Sequence, residues 1–382
     1  MKTSTSVYHA VCGEGLSPLL TQEILDNHLN VVSSNRGGVF FSGKTDKVIN
    51  FCISSKFASR INLQLLQEKA EHYEDLYAKA KKINWEKWIT EDLSFRIDAQ
   101  TKDSLHNSQF ATHKLKDAIL DALREKKVPL PDIQKRVSDI TIVLRSFLDK
   151  FSIELSLTGE SLGRRGYRLE SGAAPVREPI AQAMLEISEW KPGSTIVDPM
   201  CGSGTILIEA ALREKLLGEI NKFILAESPI FTGLFPDYVF SEAQKQKPKT
   251  PHFFGFDIDP EAIRIAKENA YEAGVEDWIQ FDTGDVLNIQ NRFGENGHII
   301  TNPPYGDRLG KPIENLREMY FQMGRVFKNE FPGWKLTVLC GEFSLLGKLA
   351  MKEKNHLPLR HANLKAKIVD YQIKGKEQTL KQ

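Results

Sequence analysis

A strand, a glycine-bearing turn and a helix follow one another without a break near the middle of this chain of 382 residues. The apolar run Ser194–Val197 ends at Asp198, the turn contains Gly202 and Gly204, and an apolar helical pattern covers Ile206–Lys215. A buried strand joined in this way to a helix is typical of a parallel sheet with helices on both faces. We therefore predict an α/β, doubly wound architecture for the region that contains this unit.

Two further acidic residues follow the next strands in the same region. Asp257 ends the apolar run that begins at Phe253, with Asp259 as the second choice, and Asp285 follows the strand Trp278–Asp282. A carboxylate after the second strand of such a sheet can accept hydrogen bonds from both ribose hydroxyls. Asp285 is then placed to accept one from an adenine amine. The competing explanation is that each Asp only caps a helix or turn. It accounts poorly for an Asp at the end of each of three successive strands.

The glycine turn excludes two common nucleotide sites. The third glycine of a dinucleotide fingerprint is replaced by Leu207, and the G-K-[ST] of a phosphate-binding loop is missing. An acidic residue before the glycines suits a nucleoside cofactor with a cationic amino acid end. Together with the acidic residues after the next two strands, this turn resembles the cofactor site of class I methyltransferases, and the resemblance implies S-adenosylmethionine as the cofactor.

The fourth strand, His298–Thr301, leads into Asn302, Pro303, Pro304 and Tyr305. The Asn302 carboxamide oxygen and the Pro303 carbonyl are acceptors for the two N–H groups of a planar amine, whose delocalised lone pair is otherwise a poor nucleophile. Two prolines hold the loop rigid, and Tyr305 can stack on a flat substrate. A plain proline turn is the alternative. Adenine N6, guanine N2 and glutamine amides all remain open as the target.

The first 165 residues have a different pattern, with short strands and helices that alternate and then a hairpin at Asp139–Leu157. Residues 1–165 carry 24 Lys or Arg against 21 Asp or Glu, residues 166–300 carry 12 against 21, and residues 301–382 carry 15 against 8. The acidic middle thus has basic flanks, which are compatible with a surface that follows phosphates.

Composition limits the compartment and the bound groups. No apolar run approaches the ~20 residues needed to span a bilayer, and the polar N-terminus lacks the apolar core of a signal peptide. The four cysteines form no C-x-x-C pair. We expect a cytoplasmic protein with no metal, no disulfide framework and no membrane span.

Three segments together resemble one family, the THUMP-domain RNA methyltransferases, and in particular the bacterial 23S rRNA guanine-N2 methyltransferases. They are the Asp198–Thr205 turn, the Asn302–Leu309 loop, and Gly163–Arg168 before Ala173–Glu178. The resemblance covers nearly the whole chain. It implies a Rossmann-like class I methyltransferase domain with a seven-stranded, mostly parallel sheet at 166–382. It also implies an α+β RNA-binding module before it, with a ferredoxin-like part at 1–55 and a THUMP domain at 56–165.

The resemblance also assigns residues. The cofactor-binding set is Asp198, Pro199, Cys201, Gly202, Ser203, Gly204, Asp257, Ile258, Asp285 and Val286. The catalytic set is Asn302, Pro303, Pro304 and Tyr305. The set near bound RNA is Arg164, Arg165, Tyr167 and Arg168, and Arg308, which follows the catalytic loop, is a further candidate to hold an RNA phosphate. The segment that contains Arg164 to Arg168 links the N-terminal module to the catalytic domain, and these residues could instead pack that linker on the catalytic domain. Arg308 could instead form a surface ion pair with Asp307.

The implied activity is methyl transfer to a guanine N2 amine in 23S rRNA or a precursor of the large ribosomal subunit. A tRNA guanine is the alternative, because the layout with one methyltransferase domain resembles that branch too. DNA adenine methylation fits less well, since it would bring a dedicated base-reading domain. Some family members continue into a second methyltransferase domain; this sequence ends at Gln382, so we expect one activity.

Overall fold

The computed structural model describes residues 6–134, 138–159, 161–168, 176–216, 219–238, 252–305, 313–361 and 364–374. The described part of the chain is organised around two seven-stranded sheets. The two sheets differ in topology. The first belongs to an N-terminal module and the second to a C-terminal domain.

The N-terminal module is an α+β unit built on the first sheet. Its strands are β1 (Val7–Val11), β2 (Asn30–Asn35), β3 (Gly38–Ser42), β4 (Arg60–Lys69), β5 (Phe95–Gln100), β6 (Ile140–Phe147) and β7 (Lys150–Ser156). Its helices are α1 (Ser17–Asp26), α2 (Thr45–Ser54), α3 (Tyr73–Ala80) and α4 (Ser108–Glu125). The strand order is β2-β3-β1-β4-β7-β6-β5.

The long strand β4 joins the two parts of this module, since it pairs with β1 on one side and β7 on the other. Local sequence explains the hairpin that follows. Leu148 and Asp149 both have positive φ, near 52° and 54°, which is the backbone of a two-residue turn between twisted antiparallel strands. The predicted turn at this point is confirmed.

The C-terminal domain is a doubly wound sheet with helices on both faces. Its strands are β8 (Ile196–Asp198), β9 (Phe253–Asp257), β10 (Ile279–Thr283), β11 (His298–Thr301), β12 (Lys335–Cys340), β13 (Glu353–His361) and β14 (Leu364–Gln372). Its helices are α5 (Glu178–Ile187), α6 (Thr205–Lys215), α7 (Lys222–Ala226), α8 (Pro229–Leu234), α9 (Pro260–Glu272), α10 (Ile313–Glu330) and α11 (Phe343–Leu346).

The strand order β10-β9-β8-β11-β12-β14-β13 confirms the predicted seven-stranded, mostly parallel sheet. Strands β8 to β12 pair in parallel, and β14 is antiparallel to both of its neighbours. The chain winds outward from β8 to β10 on one side and from β11 to β12 on the other. The carboxyl ends of β8 and β11 therefore flank the switch point, where sheets of this kind bind their ligands.

The module and the domain pack on each other through buried contacts. A single hydrophobic cluster contains buried residues from both, including Phe57 of the module and Phe231 of the domain. Asn221 donates from its side chain to the Cys52 and Ser55 carbonyls at 3.0 and 2.9 Å. The module and the domain therefore share a core and buried hydrogen bonds in the described part of the chain.

Candidate active site

A cavity of about 660 Å³ opens at the switch point of the second sheet. Residues at the carboxyl ends of the four neighbouring parallel strands β10, β9, β8 and β11 line it, and these include most of the predicted cofactor and catalytic residues. The lining members of those two sets are Asp198, Pro199, Cys201, Gly202, Ser203, Asp257, Ile258, Asp285, Val286, Asn302, Pro303, Pro304 and Tyr305.

The turn after β8 explains why glycine stands at two of its positions. Gly202 lines the cavity and has φ near +52°, and its N–H donates to Asp257 Oδ2 at 2.9 Å. Gly204 has φ near +80° and precedes α6, but it does not line the cavity. A Cβ at Gly204 would lie 2.9 Å from the Phe281 ring, so this glycine allows the turn to pack on β10 rather than to contact a ligand.

Asp257 organises two loops at the edge of the cavity. Its carboxylate accepts the Gly202 N–H through Oδ2 and the Asp259 N–H through Oδ1, the latter at 3.1 Å. Asp259 instead caps α9 by accepting the Glu261 N–H at 2.9 Å. Each Asp257 oxygen keeps a second lone pair for a ligand hydroxyl, whereas Asp259 has the capping role expected of an Asp before a helix.

The part of the cavity next to the ends of β9 and β10 contains a carboxylate and an exposed apolar side chain. Asp285 accepts the Leu287 N–H at 2.9 Å and the Asn288 side-chain N–H at 3.2 Å. Ile258, which follows β9 and also lines the cavity, leaves 72% of its surface exposed. An apolar wall beside an acceptor suits a flat, amine-bearing ring such as adenine.

Asp198 is the buried carboxylate of the site, with 1% of its surface exposed. It accepts the Met200 N–H at 3.2 Å, and no Lys or Arg is among the described residues that line this cavity. Burial and, to a smaller extent, the nearby Asp257 carboxylate raise the pKa of Asp198 to about 7. A carboxylate without a cationic partner here is suited to a ligand that brings its own positive charge.

The loop after β11 brings an unused acceptor to the same cavity. Asn302 Oδ1 is shielded from solvent and has no hydrogen-bond partner among the described residues. Such an atom is costly to leave unpaired unless a ligand supplies the donor. Pro303 is buried and Pro304 half-buried beside it.

Tyr305 is held from two sides by residues that the sequence patterns did not identify. Its hydroxyl lies 2.7 Å from His361 Nδ1, at the end of β13. Its ring lies over Gly341, where a Cβ would come within 2.6 Å of Tyr305 Cε2. Gly341 directly follows β12, and its position at the end of a parallel strand could have indicated from the sequence that it lies near the site. His361 lies on an antiparallel strand, and nothing in the sequence indicated that it lies near the site.

The four linker residues expected near RNA separate into two groups. Arg164 is exposed. Arg165 and Tyr167 both contact the fully buried Glu209 of α6, at 3.4 and 3.2 Å. Arg168 donates to the Val176 carbonyl and to Thr205 Oγ1. Three of the four therefore pack the linker on the catalytic domain.

Two residues of the predicted loop after β11, Asp307 and Arg308, lie outside the described residues. Within the described ranges, no group of three or more His, Cys, Asp or Glu side chains is arranged to hold a metal ion. No helix in the same ranges is long and apolar enough to cross a bilayer.

The topology of the second sheet and the residues around its switch point are those of a class I methyltransferase. The chain belongs to the RMKL-like methyltransferase family, whose methyltransferase domain matches residues 165–369. Two further matches fall in the N-terminal module: an RlmL ferredoxin-like domain at residues 8–62 and a THUMP domain at residues 70–155. The predicted fold and family are thereby confirmed; the domain limits at residues 55 and 165 stay predictions.

Two curated relatives are similar to this chain over almost all of its length. The ribosomal RNA large subunit methyltransferase K/L of Shewanella frigidimarina (strain NCIMB 400) is 34% identical over 92% of this chain and 51% of its own length. The protein of the same description from Vibrio parahaemolyticus is 35% identical over 96% of this chain and 53% of its own. The chain thus spans about half the length of these relatives.

Among solved structures, SMU.472, assigned as a methyltransferase and solved in complex with SAH, is 26% identical. It superposes with a TM-score of 0.80 and covers 97% of this chain and 98% of its own. The whole two-part architecture, and not only the methyltransferase domain, is therefore shared with that structure.

Proposed function

We propose that this chain transfers a methyl group from S-adenosylmethionine to the exocyclic N2 amine of a guanine in 23S rRNA, free or in a precursor of the large ribosomal subunit. The relatives named for large-subunit rRNA methylation and the THUMP match support RNA as the substrate. The observation that carries the chemistry is the shielded, unpartnered Asn302 Oδ1 in the cavity that also contains Asp198, Asp257 and Asp285. Such a substrate places the enzyme in the cytoplasm.

The residues present fit this cofactor. Asp198 supplies a buried negative charge for the cationic amino group, Asp257 supplies acceptors for the ribose hydroxyls, and Asp285 with Ile258 borders a slot for the adenine. When bound, S-adenosylmethionine supplies an electrophilic methyl group on a sulfonium. The opposite side of the cavity, formed by Asn302 to Tyr305, is left for the base that receives it.

On the substrate side, Asn302 Oδ1 and the Pro303 carbonyl accept the two N–H groups of the target amine. Their pull draws electron density onto a nitrogen whose lone pair is otherwise shared with the ring, and it favours the tetrahedral geometry needed for attack. The Tyr305 ring, fixed by Gly341 and His361, supplies a flat surface for the base. The remaining catalysis comes from positioning, because the site holds the amine nitrogen in line with the methyl group that it attacks.

The linker contributes to RNA contact through one exposed cation. Arg164 is the member of its group whose side chain is exposed, so we assign it to a phosphate of the bound strand. Arg165, Tyr167 and Arg168 hold the segment against the catalytic domain.

Replacement of Asn302 tests the proposal. Asn302→Ala removes one acceptor that acts in the transition state, so methyl transfer should fall by roughly 10²- to 10³-fold or more, while the Kd for S-adenosylmethionine stays within about twofold. Transfer is measured on 23S rRNA with labelled cofactor, and the Kd by calorimetry. Asn296→Ala, at an exposed position outside the cavity, is the matched control.

Mass spectrometry of the methylated nucleosides identifies the product. N2-methylguanosine from 23S rRNA is the expected result. N2-methylguanosine from tRNA alone would move the proposal to the tRNA branch, and N6-methyladenine in DNA would overturn it. Near-normal turnover by Asn302→Ala would contradict the role given to the Asn302 carboxamide in methyl transfer.

A further inference from the structure

A group of three cations and one exposed aromatic ring lies on the methyltransferase domain, at the edge of the sheet where the cavity opens. Strands β12 and β13 end at this edge and β14 begins there, because β12 is parallel to β11 and β14 is antiparallel to both of its neighbours. We call the group the hairpin patch: Arg360 of β13, Lys365 and Lys367 of β14, and Phe343 at the start of α11. The patch belongs to the basic segment 301–382, which carries 15 Lys or Arg against 8 Asp or Glu.

The hairpin that carries these cations also forms part of the cavity wall. His361 and Leu364, which are partners across the hairpin, both line the cavity, and Lys365 directly follows Leu364. Gly341 joins the same strand ends, because a Cβ at this position would lie 2.6 Å from Tyr305 Cε2 and 3.4 Å from the Lys365 carbonyl oxygen. A base that lies against the Tyr305 ring therefore has the hairpin patch beside its flanking nucleotides.

The positive charges of the hairpin patch are only partly neutralised. Arg360 and Lys365 are directly opposite each other across the hairpin, and like charges in this arrangement destabilise paired strands. Arg360 lies 3.8 Å from the Glu14 carboxylate, whereas Lys365 and Lys367 form no ion pair with another residue in the described part of the chain. A charge arrangement that weakens the fold and is present nevertheless indicates a functional site, and adjacent cations attract anions.

The acidic residue next to Phe343 in sequence has other partners. Glu342 Oε1 accepts the Ser344 N–H at 3.1 Å. Hydrogen bonds from Ser344 and, to a smaller extent, the positive charge of Arg317 on α10 lower the pKa of the Glu342 carboxyl. Its negative charge is therefore shared with a cation of α10, and the two lysines of β14 keep their charge for a ligand.

The exposed ring of the patch suits a nucleotide base. Phe343 leaves 45% of its surface exposed, and Lys367 Nζ lies 5.5 Å from the centroid of its ring. An exposed aromatic ring bordered by cations is the pairing that holds single-stranded nucleic acid, because the ring stacks on a base while the cations contact the backbone. A guanine that enters a cavity leaves its base stack, so the neighbouring base then needs a new surface to stack on.

We infer that the hairpin patch holds the nucleotide next to the target guanine, with Lys365 and Lys367 on backbone phosphates and the Phe343 ring against the neighbouring base. The choice of RNA as the ligand rests on the proposed function. The methyltransferase domain thereby has a nucleotide subsite of its own, separate from the N-terminal module and from the cavity that takes the guanine. This subsite stabilises the state in which the guanine has left its stack, and it takes no part in methyl transfer.

The lysines are tested together with the phosphates that they contact. The probe is a short single-stranded RNA with one guanine among uridines, made either with ordinary linkages or with uncharged methylphosphonates on both sides of the guanine. Binding to the full chain is measured by anisotropy of the labelled RNA, with S-adenosylhomocysteine in place of the methyl donor. Lys365→Gln with Lys367→Gln should lower the slope of log K against log salt concentration by about 1.4 for the ordinary RNA, at ~0.7 per phosphate contact on a single strand. The same double variant should bind the methylphosphonate RNA as the native chain does.

Matched variants control for loss of charge and loss of an exposed ring. Lys191→Gln with Lys267→Gln removes the same charge from exposed positions of the same domain outside the patch and should leave the slope unchanged. Phe343→Leu should weaken binding of the ordinary RNA at least fivefold, which is the lower end of the range for a base stacked on an aromatic side chain. Phe343→Tyr, which keeps a ring, should retain the native affinity, and so should Phe321→Leu, at a phenylalanine of α10 that is 44% exposed.

Any of three results would overturn the inference: equal salt slopes for the two double lysine variants, an equal effect of the β14 lysines on the two RNAs, or native affinity in Phe343→Leu. None of these measurements requires methyl transfer. A chain whose lysines are coupled to the flanking phosphates but which makes no N2-methylguanosine overturns only the proposed function. A chain that makes N2-methylguanosine without this coupling overturns only the hairpin patch.

Discussion

Asp198 places an ionisable group where water cannot reach it, so its protonation should be linked to ligand binding. Burial raises the pKa of this carboxyl to about 7, against ~3.9 for an unperturbed Asp. Because the folded-state pKa is the higher one, the stabilising contribution of the protonated form is complete below about pH 4 and is lost as the pH rises through 7. The ligand-free protein should accordingly become less stable between pH 5 and pH 8 through this group.

Cofactor affinity should change in the opposite direction. The cationic end of S-adenosylmethionine pairs with the ionised carboxylate, so binding below pH 7 must release a proton. We expect the affinity to rise by up to roughly tenfold from pH 6 to pH 8, measured by calorimetry in buffers of different ionisation enthalpy. Asp198→Asn should bind weakly with a flat profile, and Asp277→Asn, at an exposed position, should keep the native profile. An affinity independent of pH in the native chain would refute the role given to Asp198.

Gly341 is tested through the ring that it supports. Gly341→Ala would place a Cβ 2.6 Å from Tyr305 Cε2, so the ring must shift from its position against His361. We expect kcat/KM for RNA to fall about tenfold, which is within the ~1–3 kcal/mol of a stacking contact, with an unchanged Kd for the cofactor. Steady-state kinetics on 23S rRNA and calorimetry measure the two quantities.

A double-mutant cycle separates this effect from general damage. In a Tyr305→Ala background, the ring is gone and Gly341→Ala should cost almost nothing more. Gly347→Ala, whose added Cβ meets nothing within 4 Å, is the control. Additive losses in the cycle would show that Gly341 acts by some route other than Tyr305.

Strand ends were predictable from the sequence because a parallel sheet brings them to one edge. Asp198, Asp257, Asp285 and Asn302 each follow an apolar run, and the structure places all four around one cavity. Spacing along the chain was enough for this, since the carboxyl ends of neighbouring parallel strands lie side by side. The helix α4 was equally predictable from the sequence, because its buried residues recur at helical spacing.

Contacts between distant elements were beyond such patterns. The pairing of Tyr305 with His361 joins a loop to a strand 56 residues later, and nothing local in either segment records it. The linker shows a different limit: a run of arginines is compatible with RNA and with a buried carboxylate alike. One signal was present, since Glu209 stands alone in the apolar run Ile206–Leu212, and a single charge on a buried helix face requires a cationic partner.

Asn221 and Glu209 connect the two halves of the chain through one buried polar network. Asn221 donates to Cys52 and Ser55 of the module, and its Oδ1 accepts a hydrogen bond from Arg165. Arg165 in turn contacts Glu209 on α6, the helix that begins at the cofactor turn. Since the hydrophobic cluster also continues across this boundary, the native chain should unfold in one cooperative transition.

Asn221→Ala should break that cooperativity. The substitution removes the side-chain donor of two backbone carbonyls of the module in a buried interface, at about 1–3 kcal/mol for each unsatisfied group, while Arg165 loses one acceptor and keeps Glu209 and the Leu162 carbonyl. The cost falls on the boundary between the halves and not on either core, so calorimetry should show the single transition divide into two, the first at a lower temperature than in the native chain. Asn355→Ala, an exposed change within β13, should keep one transition. A variant of Asn221 that melts in one step at the native temperature would mean that apolar packing alone joins the module to the catalytic domain.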